Sequence, residues 1–133
     1  MKHTKNIELI TTNALGFPPF IMHRAILFYN KKGQPLIMHR TTSGAEIVHY
    51  GTFMQGRQIL HRETFPIVFD FDPVTIVKED TKPFDWMNNN CEDFTSQVIE
   101  QTTGKTISPK SPQRAAWIGI LIVILLTMIL IKL

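Results

Sequence analysis

The sequence predicts an α+β domain tethered to a C-terminal membrane helix, and three observations carry that prediction. Short apolar and aromatic runs, punctuated by Gly and Pro, crowd the stretch from Phe20 to Val77. A helical pattern takes over from Asn90 to Thr103. Ala115 to Ile131 then runs for seventeen residues without a charge.

The elements follow in chain order. Met1 to Leu15 carries Lys2 and Lys5 but no continuous apolar stretch behind them, so it does not read as a secretory signal. Phe20–Tyr29 and Leu36–Thr41 read as two strands of a hairpin. The loop Asn30-Lys31-Lys32-Gly33 joins them, with Gly33 suited to a left-handed position. Glu46–Tyr50, Gln58–His61, Ile67–Phe71 and Thr75–Val77 are further short strand candidates, separated by Gly51, Gly56, Pro66 and Pro73. In the helix that follows, Cys91, Phe94 and Val98 share a face, and Gly104 is a natural stop.

Residues 1–105 therefore form the globular domain and 106–114 a stiff linker with Pro109 and Pro112. Residues 115–133 form the anchor. At 1.5 Å per residue the charge-free run spans about 25 Å, near the short end of a bilayer crossing. Trp117 sits at the expected interfacial depth and Lys132 can snorkel at the far end. Lys105, Lys110 and Arg114 precede the run and only Lys132 follows it. The positive-inside rule then keeps the domain on the cytoplasmic side, as a single-pass tail anchor.

Composition excludes several function classes. A net charge of +3, with no long Lys/Arg run and no aromatic stripe among basic residues, gives no nucleic-acid footprint; weak attraction to anionic headgroups is the simpler reading. One cysteine cannot form an internal disulfide, which places the chain in a reducing compartment. His3, His49 and His61 stand at no metal-ligand spacing, and nothing calls for a cofactor. Asp70, Asp72, Glu79 and Asp80 read as loop charges, and Trp86 as a packing anchor.

The chemistry-bearing candidate is Cys91. With Asn90 as N-cap, Cys91 takes the first helical position and Asp93 a capping-box-like place at N3. Unpaired backbone N–H groups and the positive end of the helix dipole favour thiolate over thiol there. A buried structural cysteine is the alternative on spacing alone. A nucleophile needs a base. If the hairpin loop ends in a G1 bulge at Gly33, Asn30 pairs with Gln34. His23 then faces Thr41, with His39 diagonal to it on the same face. One imidazole can take the thiol proton while the other orients it.

Asn90-Cys91-Glu92-Asp93-Phe94 resembles the NCE-x-F box of the lecithin:retinol acyltransferase-like family, which includes the small HRAS-like suppressor phospholipase/acyltransferases. The family's earlier block, a His-bearing strand followed by a second strand ending in apolar-apolar-His, is similar to His23-Arg24-Ala25-Ile26 and Ile37-Met38-His39. The order of elements matches from about Phe17 to the C-terminal anchor. Arg24 stands where the family usually has an aromatic, Asp93 where it usually has His, and the hairpin loop is a few residues longer.

The resemblance implies a circularly permuted papain-like (NlpC/P60) fold. It also implies a membrane-tethered, cysteine-dependent acyltransferase or phospholipase acting on glycerophospholipid esters. His23 would be the general base, His39 its orienting partner, and Cys91 the nucleophile forming an acyl thioester. Its partners would be the phospholipid substrate and the bilayer. Two other readings stay open. PPPDE-type isopeptidases share the permuted fold, an N-C-x-x-F box and a Gly-Lys segment similar to Gly104-Lys105; the paired histidines and the Glu after Cys favour the lipid enzyme. The third reading is a non-catalytic membrane-tethered module with a structural Cys91.

Overall fold

The computed structural model describes residues 5–17, 21–80, 91–107 and 112–132, with the side chains of 92 and 112–117 outside that set. One antiparallel sheet is formed by β1 (Asn6–Asn13), β2 (Met22–Tyr29), β3 (Pro35–Thr41), β4 (Gly44–His49) and β5 (Ile59–Pro66), in the order β4-β3-β2-β1-β5. The short helix α1 (Tyr50–Met54) links β4 to β5. After β5 come α2 (Pro73–Glu79), α3 (Cys91–Thr103) and α4 (Pro112–Lys132).

The hairpin register is the one the sequence predicts. Asn30 and Gln34 close the loop through a backbone hydrogen bond of 3.0 Å, and the Gly33 N–H donates to the Asn30 carbonyl at 2.9 Å. Gly33 has φ +77°, the left-handed position a G1 bulge requires. Ile26 then pairs with Met38 and Leu27 with Ile37. Alternation sends successive side chains to opposite faces. Ile26, Phe28 and Met38 join Ile7, Leu9, Phe65 and the α3 residues Phe94, Val98 and Ile99 in the main core. Ala25, Leu27 and Ile37 join Ile10 and Phe53 of α1 in a smaller core on the other face.

Two expectations need correction, and one strand was not expected. The unexpected strand is β1, between β2 and β5, whose Ile7 and Leu9 serve one core and whose Ile10 serves the other. Ile67–Phe71 is not a strand. After Ile67 donates to the Lys5 carbonyl at 2.8 Å, the chain leaves the sheet, and the N–H groups of Val68 and Phe69 both donate to the Thr102 carbonyl near the end of α3. Thr75–Val77 is helical. Asp72 caps α2 by accepting from Thr75 N at 3.2 Å, and Pro73 fits the first helical turn, so capping outweighs the β-branched preference of Val74, Thr75, Ile76 and Val77. The helix α3 starts at Cys91 and ends before Gly104, whose φ of +73° and bond to the Glu100 carbonyl form a left-handed cap. The predicted cap Asn90 and the anchor Trp86 lie outside the described residues.

The C-terminal apolar run is helical, and α4 begins at Pro112, inside the stretch assigned to the linker. Among the described residues no helix is long and apolar enough to cross a membrane. The described apolar side chains of α4 run from Ile118 to Ile131. Nearly all of them are exposed on every side of the helix, with Val123 63% and Ile131 78% accessible.

Candidate functional site

The histidines come together as the hairpin register requires. His23 Nε2 lies 2.9 Å from His39 Nδ1, with the rings edge to face. Phe53 of α1 packs against both, 5.9 Å from the His23 ring and 4.9 Å from that of His39. The imidazoles thus occupy the α1 face of the sheet, at the end of β2 remote from the hairpin loop.

One member of this chain was missed from sequence. Glu46 of β4 is the cross-strand partner of His39, and its Oε1 lies 2.9 Å from His39 Nε2. A tight turn through Thr42 and Ser43 sets the pairing: Thr41 pairs with Gly44, so Glu46 falls opposite His39. The short Thr-Ser-Gly segment was the available signal.

The carboxylate fixes the tautomers down the chain. An ionised carboxylate only accepts, so His39 donates from Nε2–H to Glu46. A neutral His39 then has Nδ1 as acceptor, and His23 donates to it from Nε2–H. The remaining lone pair of His23, on Nδ1, is free to take a proton. Glu46 thereby orients His39, and His39 orients His23.

Both rings are held neutral. Burial first, then the charges of His39 and Arg57, push His23 down to about 3. His39 is also lowered, by burial and by Arg57, against an upward pull from Glu46. Burial disfavours the imidazolium, and a neighbouring cation adds to that.

Cys91 is buried at the start of α3, on the opposite face of the sheet from α1. At the sheet's end the two faces meet in a cavity of about 210 Å3, which Cys91, His23 and His39 all line. Among the described residues Arg40 and Arg57 are its charged groups, and Leu15, Phe17 and Met22 form its apolar side. Arg40 is fully buried and ion-paired with Asp80. Arg57 donates from Nε to the Phe53 carbonyl at 3.0 Å and from Nη1 to the Asn13 carbonyl at 3.1 Å, its guanidinium lying over the Phe53 ring. Neither arginine was singled out from the sequence.

Elsewhere, a groove of about 500 Å3 between Phe28, Leu36, Ile67 and Phe71 lies at the other end of β2 and β3, with no cysteine or histidine among its described lining residues. Among the described residues no cluster of His, Cys, Asp and Glu is arranged to hold a metal ion. His49 and His61 lie apart from the cavity on β4 and β5.

The arrangement supplies a thiol, a neutral imidazole with a free lone pair, a carboxylate-anchored orienting group and an apolar wall. Those are the parts of nucleophilic acyl transfer. Comparison with protein family models, with curated proteins and with solved structures finds no match to this chain.

Proposed function

We propose that this protein is a membrane-attached thiol acyltransferase or phospholipase on a permuted papain-like domain, acting on glycerophospholipid esters. The single observation that carries the reading is the Glu46–His39–His23 hydrogen-bond chain opening on the same cavity as Cys91. Nucleophile, base and orienting groups are the constellation by which such chemistry is recognised, whatever the order of residues in the chain.

The mechanism runs in two halves. His23 Nδ1 takes the Cys91 proton as sulfur attacks the ester carbonyl. The imidazolium so formed is stabilised through His39 by Glu46. The tetrahedral oxyanion is met by backbone N–H groups at the start of α3, and collapses as His23 returns its proton to the departing lysophospholipid oxygen. The acyl group is left on Cys91 as a thioester. In the second half His23 deprotonates water, or an amine or alcohol acceptor, which attacks the thioester and releases the acyl product and the thiol. Leu15, Phe17 and Met22 offer the acyl chain an apolar wall.

The helix α4 supports the membrane part of the reading. Its described side chains expose isoleucine, leucine, valine and methionine all round, an arrangement that buries apolar surface only in lipid or against other protein. We read it as an anchor that holds the domain, on the cytoplasmic side, beside its substrate.

The test is product analysis by the full chain in mixed micelles of phosphatidylcholine and phosphatidylethanolamine. Free fatty acid with lysophospholipid, or N-acylated phosphatidylethanolamine, is expected from the wild type and not from Cys91→Ala. Absence of any acyl product from wild-type protein whose Cys91 still alkylates would move the reading to an isopeptidase of the same fold.

A further inference from the structure

We propose that Arg57, and not a histidine imidazolium, is the cation that stabilises the Cys91 thiolate. The inference rests on Cys91 being the nucleophile; it does not depend on the identity of the acyl donor.

Thiol enzymes commonly lower their nucleophile's pKa with an adjacent imidazolium. That device is weak here. His23 and His39 already spend three of their four ring nitrogens on one another and on Glu46, and burial holds both rings neutral. A positive charge must come from elsewhere in the cavity.

Among the described residues the charged and titratable groups around Cys91 can be named element by element. On β2 there is His23, and on β3 His39 and Arg40. Arg57 follows α1, and Asp93 lies two residues further along α3 itself. The charge of Arg40 is met by Asp80, and Asp93 works against a thiolate. Arg57 is different. Among the described residues no carboxylate pairs with it, and its two located side-chain bonds go to neutral carbonyls of Phe53 and Asn13.

Its place is also fixed. Two backbone carbonyls and the Phe53 ring, 4.5 Å from the guanidinium carbon, hold the planar group at the cavity. Half-burial strengthens any charge it meets there. Arg57 and Cys91 line the same cavity; burial lowers the pKa of the Arg57 guanidinium, and a negative charge on the Cys91 sulfur works against that lowering. Arg57 disfavours a second positive charge on His23 and His39. One residue thus keeps His23 neutral, able to take the Cys91 proton, and stabilises the thiolate left behind. The start of α3 adds the positive end of a helix dipole to the same sulfur.

The measurement is the pH dependence of iodoacetamide alkylation, followed by intact mass, of the full chain in nonionic detergent. Cys91 is the only cysteine, so every adduct reports it. The wild-type midpoint is expected below the ordinary thiol value of about 8.5. Arg57→Gln should raise it by roughly one to three pH units, the effect of removing an opposite charge nearby. Arg57→Lys should restore most of that shift, and His23→Gln should leave the midpoint low. An unmoved midpoint in Arg57→Gln, an equal rise in Arg57→Lys, or a rise of a unit or more in His23→Gln would each overturn the proposal. The His23→Gln arm decides even if Arg57→Gln fails to fold. Because alkylation needs no acyl donor, a shifted midpoint without lipid product would refute only the lipid reading. Product with an unmoved midpoint would refute only the role of Arg57.

Discussion

On β2, Ile26 and Phe28 point to the face covered by α3, while His23, Ala25 and Leu27 point to the face covered by α1. On β3, Met38 belongs to the first face and Ile37 and His39 to the second. The α3 face is apolar through its middle, where Phe94, Val98 and Ile99 close it, and at its cavity end it carries the buried Arg40 paired with Asp80. The α1 face is apolar only in its middle, and at the cavity end it turns to two histidines backed by Glu46. Strand alternation separates the core-packing side chains from the paired histidines proposed for catalysis, within the same few residues. Cys91 joins the two, because the helix that closes the apolar face begins with the proposed nucleophile.

This contrast predicts that substitutions on the two faces fail in different ways. The largest effect belongs to Cys91→Ala, which should abolish acyl transfer in a product assay while leaving circular dichroism unchanged. His23→Gln should lower turnover by about 10²- to 10⁴-fold, the span of a lost general base, again with the fold intact. On the other face, Ile26→Ala empties a fully buried site. It should lower unfolding free energy by about 2–5 kcal/mol in urea titrations, yet leave Cys91 alkylation of the folded protein near wild type. A loss of activity in Ile26→Ala without loss of stability would break the separation.

Glu46 sharpens the comparison because it acts at one remove. Glu46→Gln should cost about tenfold in turnover, comparable to one charge-assisted hydrogen bond of roughly 1.5 kcal/mol. A separate effect falls on stability against pH. An unfolded histidine binds its proton near 6.5, but His23 in the fold binds it only near 3. Between those values the unfolded state holds more protons, so stability decreases as pH falls. His23→Gln should flatten that part of the urea-midpoint profile, whereas Ile26→Ala should lower the whole profile without changing its slope.

The meeting of His23 and His39 was legible because it depends on parity and one bulge: Gly33 set the register, and even spacing put both rings on one face. The start of α3 at Cys91 was legible from the asparagines before it and the apolar spacing after it. Glu46 was not, because its role needs the β3–β4 register, which rests on two small residues, Thr42 and Ser43, in a turn without strong punctuation. β1 was passed over although Ile7 and Leu9 alternate with Asn6 and Glu8, since its other apolar residue, Ile10, breaks the period by serving the second core. Arg57 was illegible for a different reason. Its position at the cavity is set by carbonyls of Phe53 and Asn13, the latter distant in sequence, and no local pattern carries that information.

The most direct test is intact-mass spectrometry of the full chain after brief incubation with phospholipid micelles and acid quenching. The account predicts a mass increase equal to one fatty acyl group, removed by hydroxylamine at neutral pH and absent from Cys91→Ala and His23→Gln. Wild-type protein that turns over phospholipid with no acyl adduct on Cys91, or an adduct that persists in Cys91→Ala, would contradict it.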